Sequence, residues 1–217
     1  MGAITYFAVS KFKKDIGEVR ASPSPSPQTL DFIFSSAPSP QPSHQQAQRQ
    51  QAQPTELPLA KNKQLANFPG ILTPESLQNK KAVIQTAKGV IQLQIYPEVT
   101  MAASNFMILA AYGFYDGLVF HRVEDWVVQG GDPLGNGSGG PGYQFPDEPV
   151  ARAYTKGIVA MANSGPNTNG SQFFILKKDY PLEPKYTIFG AVISGMDVVE
   201  KITAGDTIQR VIIQNLP

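Results

Sequence analysis

The sequence predicts a mainly β domain, a closed antiparallel barrel of eight strands with two helices, behind an extension that has no core of its own. Three observations support this fold class. Short apolar runs separated by Gly, Asn and Asp recur from Lys81 to Pro217. Only two stretches have helical spacing, and the strand–helix alternation of a parallel sheet is missing. The 137 residues of this part are enough to bury one core.

Residues 1–80 are predicted to be an N-terminal extension, largely a disordered tether. Between Ala21 and Pro58, 23 of 38 positions are Pro, Gln or Ser. A segment this polar buries too little apolar surface to offset the entropy of ordering it. The Ser-Pro repeat from Ser22 to Pro27 favours polyproline II geometry. We therefore place the domain boundary between residues 80 and 81.

The strands are predicted from period-two alternation and from β-rich runs. Ile91, Leu93 and Ile95 alternate with glutamines, which is typical of a half-buried strand. This strand and the one before it are expected to form a hairpin. The predicted strands are Lys81–Thr86, Val90–Tyr96, Leu118–Val123, Trp126–Gln129, Gly157–Met161, Gln172–Leu176, Thr187–Val192 and Gln209–Gln214.

Two helices are predicted to close the open ends of the barrel. Thr100–Tyr112 is rich in Ala, Met and Leu at helical spacing, with Thr100 as the expected N-cap and Gly113 as the stop. Met196–Ala204, which follows Gly195, predicts the second helix.

Charge and residue content exclude several classes of protein. From Lys81 onward 10 basic residues stand against 12 acidic ones, and residues 1–80 have 8 against 5. Neither part has the basic excess of a nucleic-acid binder. Cysteine is absent, so a disulfide framework and a thiolate metal site are excluded. The two histidines, His44 and His121, disfavour a multi-histidine metal centre. We expect no metal and no cofactor.

The N-terminus does not have the order of a secretory signal peptide. Ala3–Val9 is apolar but short, and Lys11, Lys13 and Lys14 follow it instead of preceding it. No run approaches the roughly 20 apolar residues that cross a bilayer. We expect a cytoplasmic protein, although a tether ahead of a folded domain also suits an exported or anchored one.

Two other kinds of site are considered and disfavoured, a nucleotide site and a serine hydrolase. The glycine-rich loop Gly130–Gly142, which holds seven glycines, suggests a phosphate-binding loop. It lacks the Lys-Ser/Thr ending of a P-loop, and no helical pattern follows it, which argues against a nucleotide site. A serine hydrolase is disfavoured because no Gly-x-Ser-x-Gly elbow accompanies His121, the one histidine of the domain.

Two long motifs carry a resemblance to a known family. Phe120–Asp132 (FHRVEDWVVQGGD) and Met161–Phe174 (MANSGPNTNGSQFF) are similar, almost letter for letter, to the two signature stretches of the cyclophilins. Asn136–Gly140 resembles the loop between them, and Tyr186–Gly190 the strand that closes the site. The resemblance extends from Val83 to Ile213. It implies a cyclophilin-like barrel that catalyses peptidyl-prolyl cis-trans isomerisation and assists protein folding.

The resemblance implies a non-covalent mechanism with Arg122 as the catalytic residue. The barrier to rotation about a prolyl bond is about 18–20 kcal/mol, and a catalyst lowers it by binding the twisted amide better than either planar form. A fixed guanidinium can donate to the pyramidal prolyl nitrogen and to a neighbouring carbonyl. The implied substrate-binding residues are His121, Trp126, Val127, Gln129, Ser138, Ala162, Asn163, Ser164, Gln172, Phe174, Leu182 and Tyr186.

These residues divide by role in the family. The apolar slot for proline is formed by Trp126, Val127, Phe174 and Leu182. The extended peptide is held by the side chains of Gln129 and Gln172 and by the backbone of Asn163. A neighbouring pocket for the residue two before proline is bordered by Ser138, Ala162 and Ser164. The wall of the groove includes His121.

The chain departs from the usual family pattern at three places. Trp126 and Val127 stand where relatives more often have Phe and Met, which should reshape the proline slot. Tyr186 stands where many members have His. Asp179-Tyr180-Pro181 stands where many carry a tryptophan that packs on cyclosporin, so we expect cyclosporin to bind weakly if at all.

Three hypotheses for function remain at this point. An isomerase acting on X-Pro bonds of unfolded or flexible client proteins leads, because Arg122 and the apolar slot are both intact. A scaffold of the same fold that binds proline-containing peptides with little catalysis is the alternative. In the third, the extension is the functional part, although only Gly70–Gln78 there hints at local structure. We expect a monomer that does not bind nucleic acid.

Overall fold

A computed structural model describes residues 64–217 of the chain. The predicted disordered tether therefore falls largely outside the described residues. The strands are β1 (Lys80–Thr86), β2 (Gly89–Ile95), β3 (Arg122–Val123), β4 (Val127–Gly130), β5 (Ile158–Met161), β6 (Phe173–Leu176), β7 (Ile188–Ser194) and β8 (Ile208–Asn215). The helices are α1 (Pro74–Leu77), α2 (Thr100–Ala111) and α3 (Met196–Lys201). Among the described residues no helix is long and apolar enough to cross a membrane.

The eight strands form one sheet in the order β3-β4-β6-β5-β7-β2-β1-β8, and every neighbouring pair is antiparallel. The first and last strands of this order, β3 and β8, are joined by the segment that precedes β3, in which Val119 forms a β-bridge with Thr207. The Gly117 N–H donates to the Ile208 carbonyl at 2.7 Å, and the Ile208 N–H donates to the Leu118 carbonyl at 2.8 Å. The predicted eight-stranded antiparallel barrel is confirmed.

The predicted strand Leu118–Val123 is shorter in the structure, where β3 holds only Arg122 and Val123. The residues before it serve the barrel closure instead, because the Phe120 N–H donates to the Asp206 carbonyl at 2.9 Å. The second predicted helix also ends early, at Lys201 instead of Ala204.

Helix α2 begins at Thr100, but the prediction that Thr100 is its N-cap is wrong. The N-cap position is Val99, which makes no side-chain capping bond. The Glu148 carboxylate accepts from the Met101 and Ala102 N–H groups instead, at 2.9 and 2.8 Å. A carboxylate at this end also interacts favourably with the helix dipole. The cap comes from a distant loop, so the local sequence does not reveal it.

The apolar residues form two clusters on opposite faces of strands β4, β5 and β6. Side chains alternate along a strand, so Val128 and Phe173 join the main core with α2, while Val127 and Phe174 join the second cluster. In the main core the Phe106 ring lies 4.9–5.4 Å from the rings of Tyr115, Phe173 and Phe189. The alternation thus places Phe174 on the outer face, where the candidate site lies.

Residues 64–79, which the sequence assigned to the extension, pack on the barrel. Leu72 and Leu77 are buried, and Leu65 and Phe68 lie against the main core. The Leu65 N–H donates to the Pro141 carbonyl at 2.7 Å. These apolar residues are spaced too irregularly to predict an element, which is why the sequence did not reveal this packing.

Candidate active site

Two adjoining cavities lie on the outer face of the sheet. The smaller, of about 400 Å³, is lined by most of the residues that the sequence singled out: His121, Arg122, Trp126, Val127, Gln129, Ala162, Asn163, Phe174, Leu182 and Tyr186. The larger, of about 1050 Å³, contains the remaining three, Ser138, Ser164 and Gln172. The two cavities share Gln129, Gly137, Ala162 and Asn163. The structure therefore brings all thirteen predicted residues to one groove.

Arg122 stands on β3 directly opposite Gln129 of β4. Its Nη1 donates to the Gln129 Oε1 at 3.2 Å, and its Nε donates to the Glu124 Oε1 at 2.7 Å. The side chain is 44% exposed. Arg122 is thus held on two sides and still reaches the cavity that it lines.

A relay of side-chain amides connects Arg122 to the far wall of the groove. The Gln129 Nε2 donates to the Gln172 Oε1 at 2.9 Å. The Gln172 Nε2 in turn donates to the carbonyls of Gly137 and Gly139, both at 2.9 Å. Each amide uses its oxygen on one neighbour and its N–H groups on the next, which fixes the orientation of both glutamines.

The far wall is the glycine-rich loop, and Asp132 organises it. This residue is 1% exposed. Its carboxylate accepts from the N–H groups of Leu134, Asn136 and Gly137 at 2.7, 3.0 and 2.6 Å. Burial alone raises the pKa of Asp132, but the backbone N–H groups outweigh it and hold the pKa below its ordinary value. The buried carboxylate therefore stays ionised and ties the loop together.

The apolar slot of the smaller cavity is built from the second cluster. Val127 and Phe174 are nearly fully buried there, and the Tyr186 ring meets Phe174 edge-on, with 5.5 Å between centroids. The Trp126 indole stacks on Tyr180 at 4.0 Å and 15°. Tyr180, which the sequence singled out only as part of a departure from the family pattern, therefore supports one wall of the slot.

His121 lines the same cavity with both ring nitrogens buried. Neither nitrogen has a hydrogen-bond partner among residues 64–217. Burial is the main cause that lowers its pKa below 6.5, and it outweighs the opposing effect of Asp132, while Arg122 adds to the lowering. The imidazole is therefore neutral at neutral pH, which suits a wall of the groove better than a proton donor.

The loop positions on the other side of the groove are fixed by their own hydrogen bonds. The Asn163 Nδ2 donates to the Lys185 carbonyl at 2.9 Å, and the Ser164 N–H donates to the Thr168 Oγ1 at 2.9 Å. The Tyr186 N–H donates to the Tyr154 hydroxyl at 3.0 Å. The first two contacts hold Asn163 at the edge of both cavities and Ser164 at the edge of the larger one.

The sequence missed Glu124, a charged residue that lines neither cavity but contacts two residues of the smaller one. Glu124 accepts from Arg122 and also from the Trp126 Nε1, the latter at 2.7 Å. Its spacing of two residues from each partner was the available signal, since Glu124 lies in the short turn between β3 and β4. The sequence also treated Asn136 as loop only, whereas it lines the smaller cavity.

The arrangement suits binding and polarisation of an extended peptide. It offers a guanidinium beside an apolar slot, amide groups along the groove and, among the described residues, no group of three or more His, Asp or Glu side chains that could hold a metal ion. Because the cationic group and the slot line one cavity, a bound ring in the slot would place its neighbouring amide within reach of Arg122.

Comparison with known proteins agrees with this geometry. Residues 81–216, more than half of the chain, match the family described as "Cyclophilin type peptidyl-prolyl cis-trans isomerase/CLD". Peptidyl-prolyl cis-trans isomerase cypE of Dictyostelium discoideum is 45% identical over an alignment of 139 residues, which covers 60% of this chain and 89% of that protein. Peptidyl-prolyl cis-trans isomerase 9 of Schizosaccharomyces pombe is also 45% identical over 139 residues, but the chain spans only 23% of its length.

Solved structures show the same fold. A cyclophilin type peptidyl-prolyl cis-trans isomerase of Cryptosporidium parvum is 32% identical, with a TM-score of 0.57 over 64% of this chain and 99% of that one. A second structure of that protein, in the presence of the dipeptide Ala-Pro, gives 34% identity and a TM-score of 0.52 over 62% of this chain and 96% of that one. The resemblance carried by the two motifs is therefore confirmed, and the chain belongs to the cyclophilin-type peptidyl-prolyl cis-trans isomerase family.

Proposed function

We propose that this isomerase accelerates rotation about X-Pro bonds by stabilising the twisted amide through the Arg122 guanidinium. The single observation that carries the proposal is that Arg122 lines the same cavity as the apolar slot of Trp126, Val127, Phe174 and Leu182. A proline ring in that slot has its amide nitrogen beside a donor that is always charged. No nucleophile and no general base are required.

The energetic requirement is a lower barrier and not a driving force. The two planar forms of X-Pro differ by about 0.5–1 kcal/mol, whereas the barrier between them is about 20 kcal/mol. At the twisted geometry amide resonance is lost and the prolyl nitrogen gains a lone pair. A hydrogen bond from Arg122 is therefore stronger to the twisted amide than to either planar amide, and this difference is what accelerates the reaction.

The rest of the groove would hold the peptide in register. We assign the Gln129 and Gln172 side chains and the Asn163 backbone to the extended chain around proline. The second cavity, bordered by Ser138, Ala162 and Ser164, would take the residue two before proline. The structure of the Cryptosporidium relative in the presence of Ala-Pro supports a proline-containing peptide as ligand. Unfolded or flexible proteins are the clients that present such segments.

The test is exchange NMR of a short peptide that contains Ala-Pro, with the intact chain and with Arg122→Ala. The intact chain is expected to accelerate cis-to-trans exchange. The variant should lower the rate at saturating peptide by about 100-fold, the usual loss when one transition-state donor is removed, with an unchanged circular dichroism spectrum.

Arg152→Ala is the matched control. Arg152 is as exposed as Arg122 (47% against 44%) and is ion-paired to Glu98 at 2.7 Å, but it does not line either cavity. Its rate should stay within about twofold of the intact chain, as is usual for surface substitutions. If the intact chain binds the peptide and leaves the exchange rate unchanged, the proposed catalysis is wrong and the peptide-binding scaffold is favoured.

A further inference from the structure

Glu124 lies in the tight turn between β3 and β4, where its N–H donates to the Val127 carbonyl at 2.9 Å. Both oxygens of its carboxylate accept hydrogen bonds from side chains that line the smaller cavity. Oε1 accepts from the Arg122 Nε at 2.7 Å, and Oε2 accepts from the Trp126 Nε1 at 2.7 Å. One carboxylate thus connects the proposed catalytic cation to the aromatic wall of the slot.

We propose that Glu124 is a positioning residue for the isomerase reaction, which holds Arg122 and Trp126 in one fixed arrangement around the proline ring. The inference rests on the proposed function of Arg122. Glu124 itself does not line the cavity, so it acts through its two partners and not on the peptide.

The hydrogen bonds of Arg122 leave one group of its guanidinium to donate to the substrate. Nε is taken by Glu124, and Nη1 is shared with Gln129. Within residues 64–217 its other amino group, Nη2, makes no hydrogen bond. Arginine has many rotamers and loses entropy when it is ordered. Because Glu124 and Gln129 already order the side chain, less entropy is lost when Arg122 donates to the twisted amide.

The aromatic partner is restrained in the same way. The Arg122 guanidinium carbon lies 5.2 Å from the Trp126 ring centroid, a cation–π distance. Trp126 also stacks on Tyr180, with 4.0 Å between the ring centroids. Glu124 closes this arrangement by accepting from both Arg122 and Trp126. The hydrogen bonds from Arg122 and then Trp126 hold the pKa of Glu124 below its ordinary value, so the carboxylate is ionised at neutral pH.

A structural role and a positioning role make different predictions. Arg122 and Glu124 are both 44% exposed, and ion pairs this exposed contribute little to the free energy of unfolding. A positioning role instead appears in the exchange rate at saturating peptide. It also appears in the environment of Trp126, the only tryptophan in the chain, whose indole N–H gives a single NMR signal.

The experiment compares Glu124→Ala with Asp125→Ala in exchange NMR of the Ala-Pro peptide. Asp125 is the matched control, because it is the adjacent acid, is 75% exposed and pairs with Lys178 at 2.6 Å instead of Arg122. Glu124→Ala should lower the rate at saturating peptide by about tenfold, since small misplacements of a catalytic group have effects of this order. Asp125→Ala should stay within about twofold, and neither variant should shift the thermal midpoint appreciably.

Two further measurements complete the test. Glu124→Gln, which keeps one acceptor oxygen for the two N–H groups, should recover part of the lost rate. The indole N–H signal of Trp126 should move in Glu124→Ala and stay in place in Asp125→Ala.

The proposal is overturned by a Glu124→Ala rate within about twofold of the intact chain, by an equal loss in both variants, or by a loss confined to peptide affinity. An intact chain that shows no acceleration at all is a different result, since it contradicts the proposed function itself.

Discussion

The two walls of the groove are held by carboxylates in opposite environments. On the loop wall Asp132 is 1% exposed and accepts from three backbone N–H groups. The other wall, here called the hairpin wall, is formed by the hairpin of β3 and β4. There Glu124 is 44% exposed and accepts from the side chains of Arg122 and Trp126. Both carboxylates have a pKa below the ordinary value. Burial opposes the lowering in both, but it is the largest single cause only for Asp132.

Because Asp132 is buried and Glu124 is exposed, we expect the first to contribute mainly to stability and the second mainly to catalysis. Removing a buried acceptor leaves its donors without a partner and without water, which costs the full desolvation of those groups. Removing an exposed acceptor lets water replace it at little cost. The loop wall should therefore determine the stability of the groove, and the hairpin wall should determine the rate. The Gln129–Gln172 relay is the connection between the two walls.

The largest expected effect on stability comes from the loop wall. Asp132→Ala leaves the N–H groups of Leu134, Asn136 and Gly137 without their acceptor and should lower the free energy of unfolding by about 3 kcal/mol. Urea unfolding followed by circular dichroism measures the change. Peptide affinity should fall as well, because Gly137 lines both cavities.

Asp125→Ala, which removes an exposed acid from the hairpin wall, is the control for this substitution. Its free energy of unfolding should change by less than about 0.5 kcal/mol. If Asp132→Ala unfolds during purification, Asp132→Asn keeps one acceptor oxygen and should give an intermediate loss. Equal stability of the intact chain and both Asp132 variants would contradict the assignment of stability to the loop wall.

A smaller effect on stability, with a clear effect on activity, is expected from Trp126→Ala on the hairpin wall. The substitution removes the stack on Tyr180 and one side of the proline slot. The free energy of unfolding should fall by about 1 kcal/mol, the scale of one aromatic pair, while kcat/KM falls about tenfold, because an apolar slot side is lost. Urea unfolding and exchange NMR on the same sample test whether the two effects separate.

The smallest effect is a pH dependence of stability from His121, which lines the smaller cavity. Its folded-state pKa is below 6.5 mainly because of burial. The unfolded chain therefore binds more protons than the folded chain as the pH falls from 7 through 6.5 towards the folded pKa, and stability decreases over that window. Urea titrations at several pH values should show this decrease in the intact chain and a flatter profile in His121→Gln. Parallel profiles would mean that His121 does not titrate as described.

Local patterns predicted most of the barrel. Period-two alternation, as in Ile91, Leu93 and Ile95, locates strands because it reports burial on one face, and the structure buries all three. Helix α2 is buried along most of its length. The sequence predicted its extent from its Ala, Met and Leu content and from Gly113. The motifs then placed thirteen residues at one groove, although their individual roles stay predictions.

What the sequence could not predict depends on contacts between distant segments. The cap of α2 comes from Glu148, which is 46 to 48 residues away from the groups it contacts. Tyr180 is far from Trp126 along the chain, and no periodic pattern relates them. Leu72 and Leu77 pack on the barrel, whereas Ile71, the apolar neighbour of Leu72, is exposed. In each case one partner alone gives no signal, since the contact exists only after the chain has folded.

The central claim is that the Arg122 guanidinium lowers the barrier and does more than hold the peptide. Arg122→Lys tests it most directly, because lysine keeps the charge and loses the planar fork of donors. Peptide affinity and the exchange rate at saturating peptide would be measured on the same sample by NMR. We predict a rate lower by at least about tenfold, with affinity changed by less than about threefold, since the lost donor acts mainly in the twisted state. A rate equal to that of the intact chain, or a loss explained entirely by weaker binding, would contradict the account.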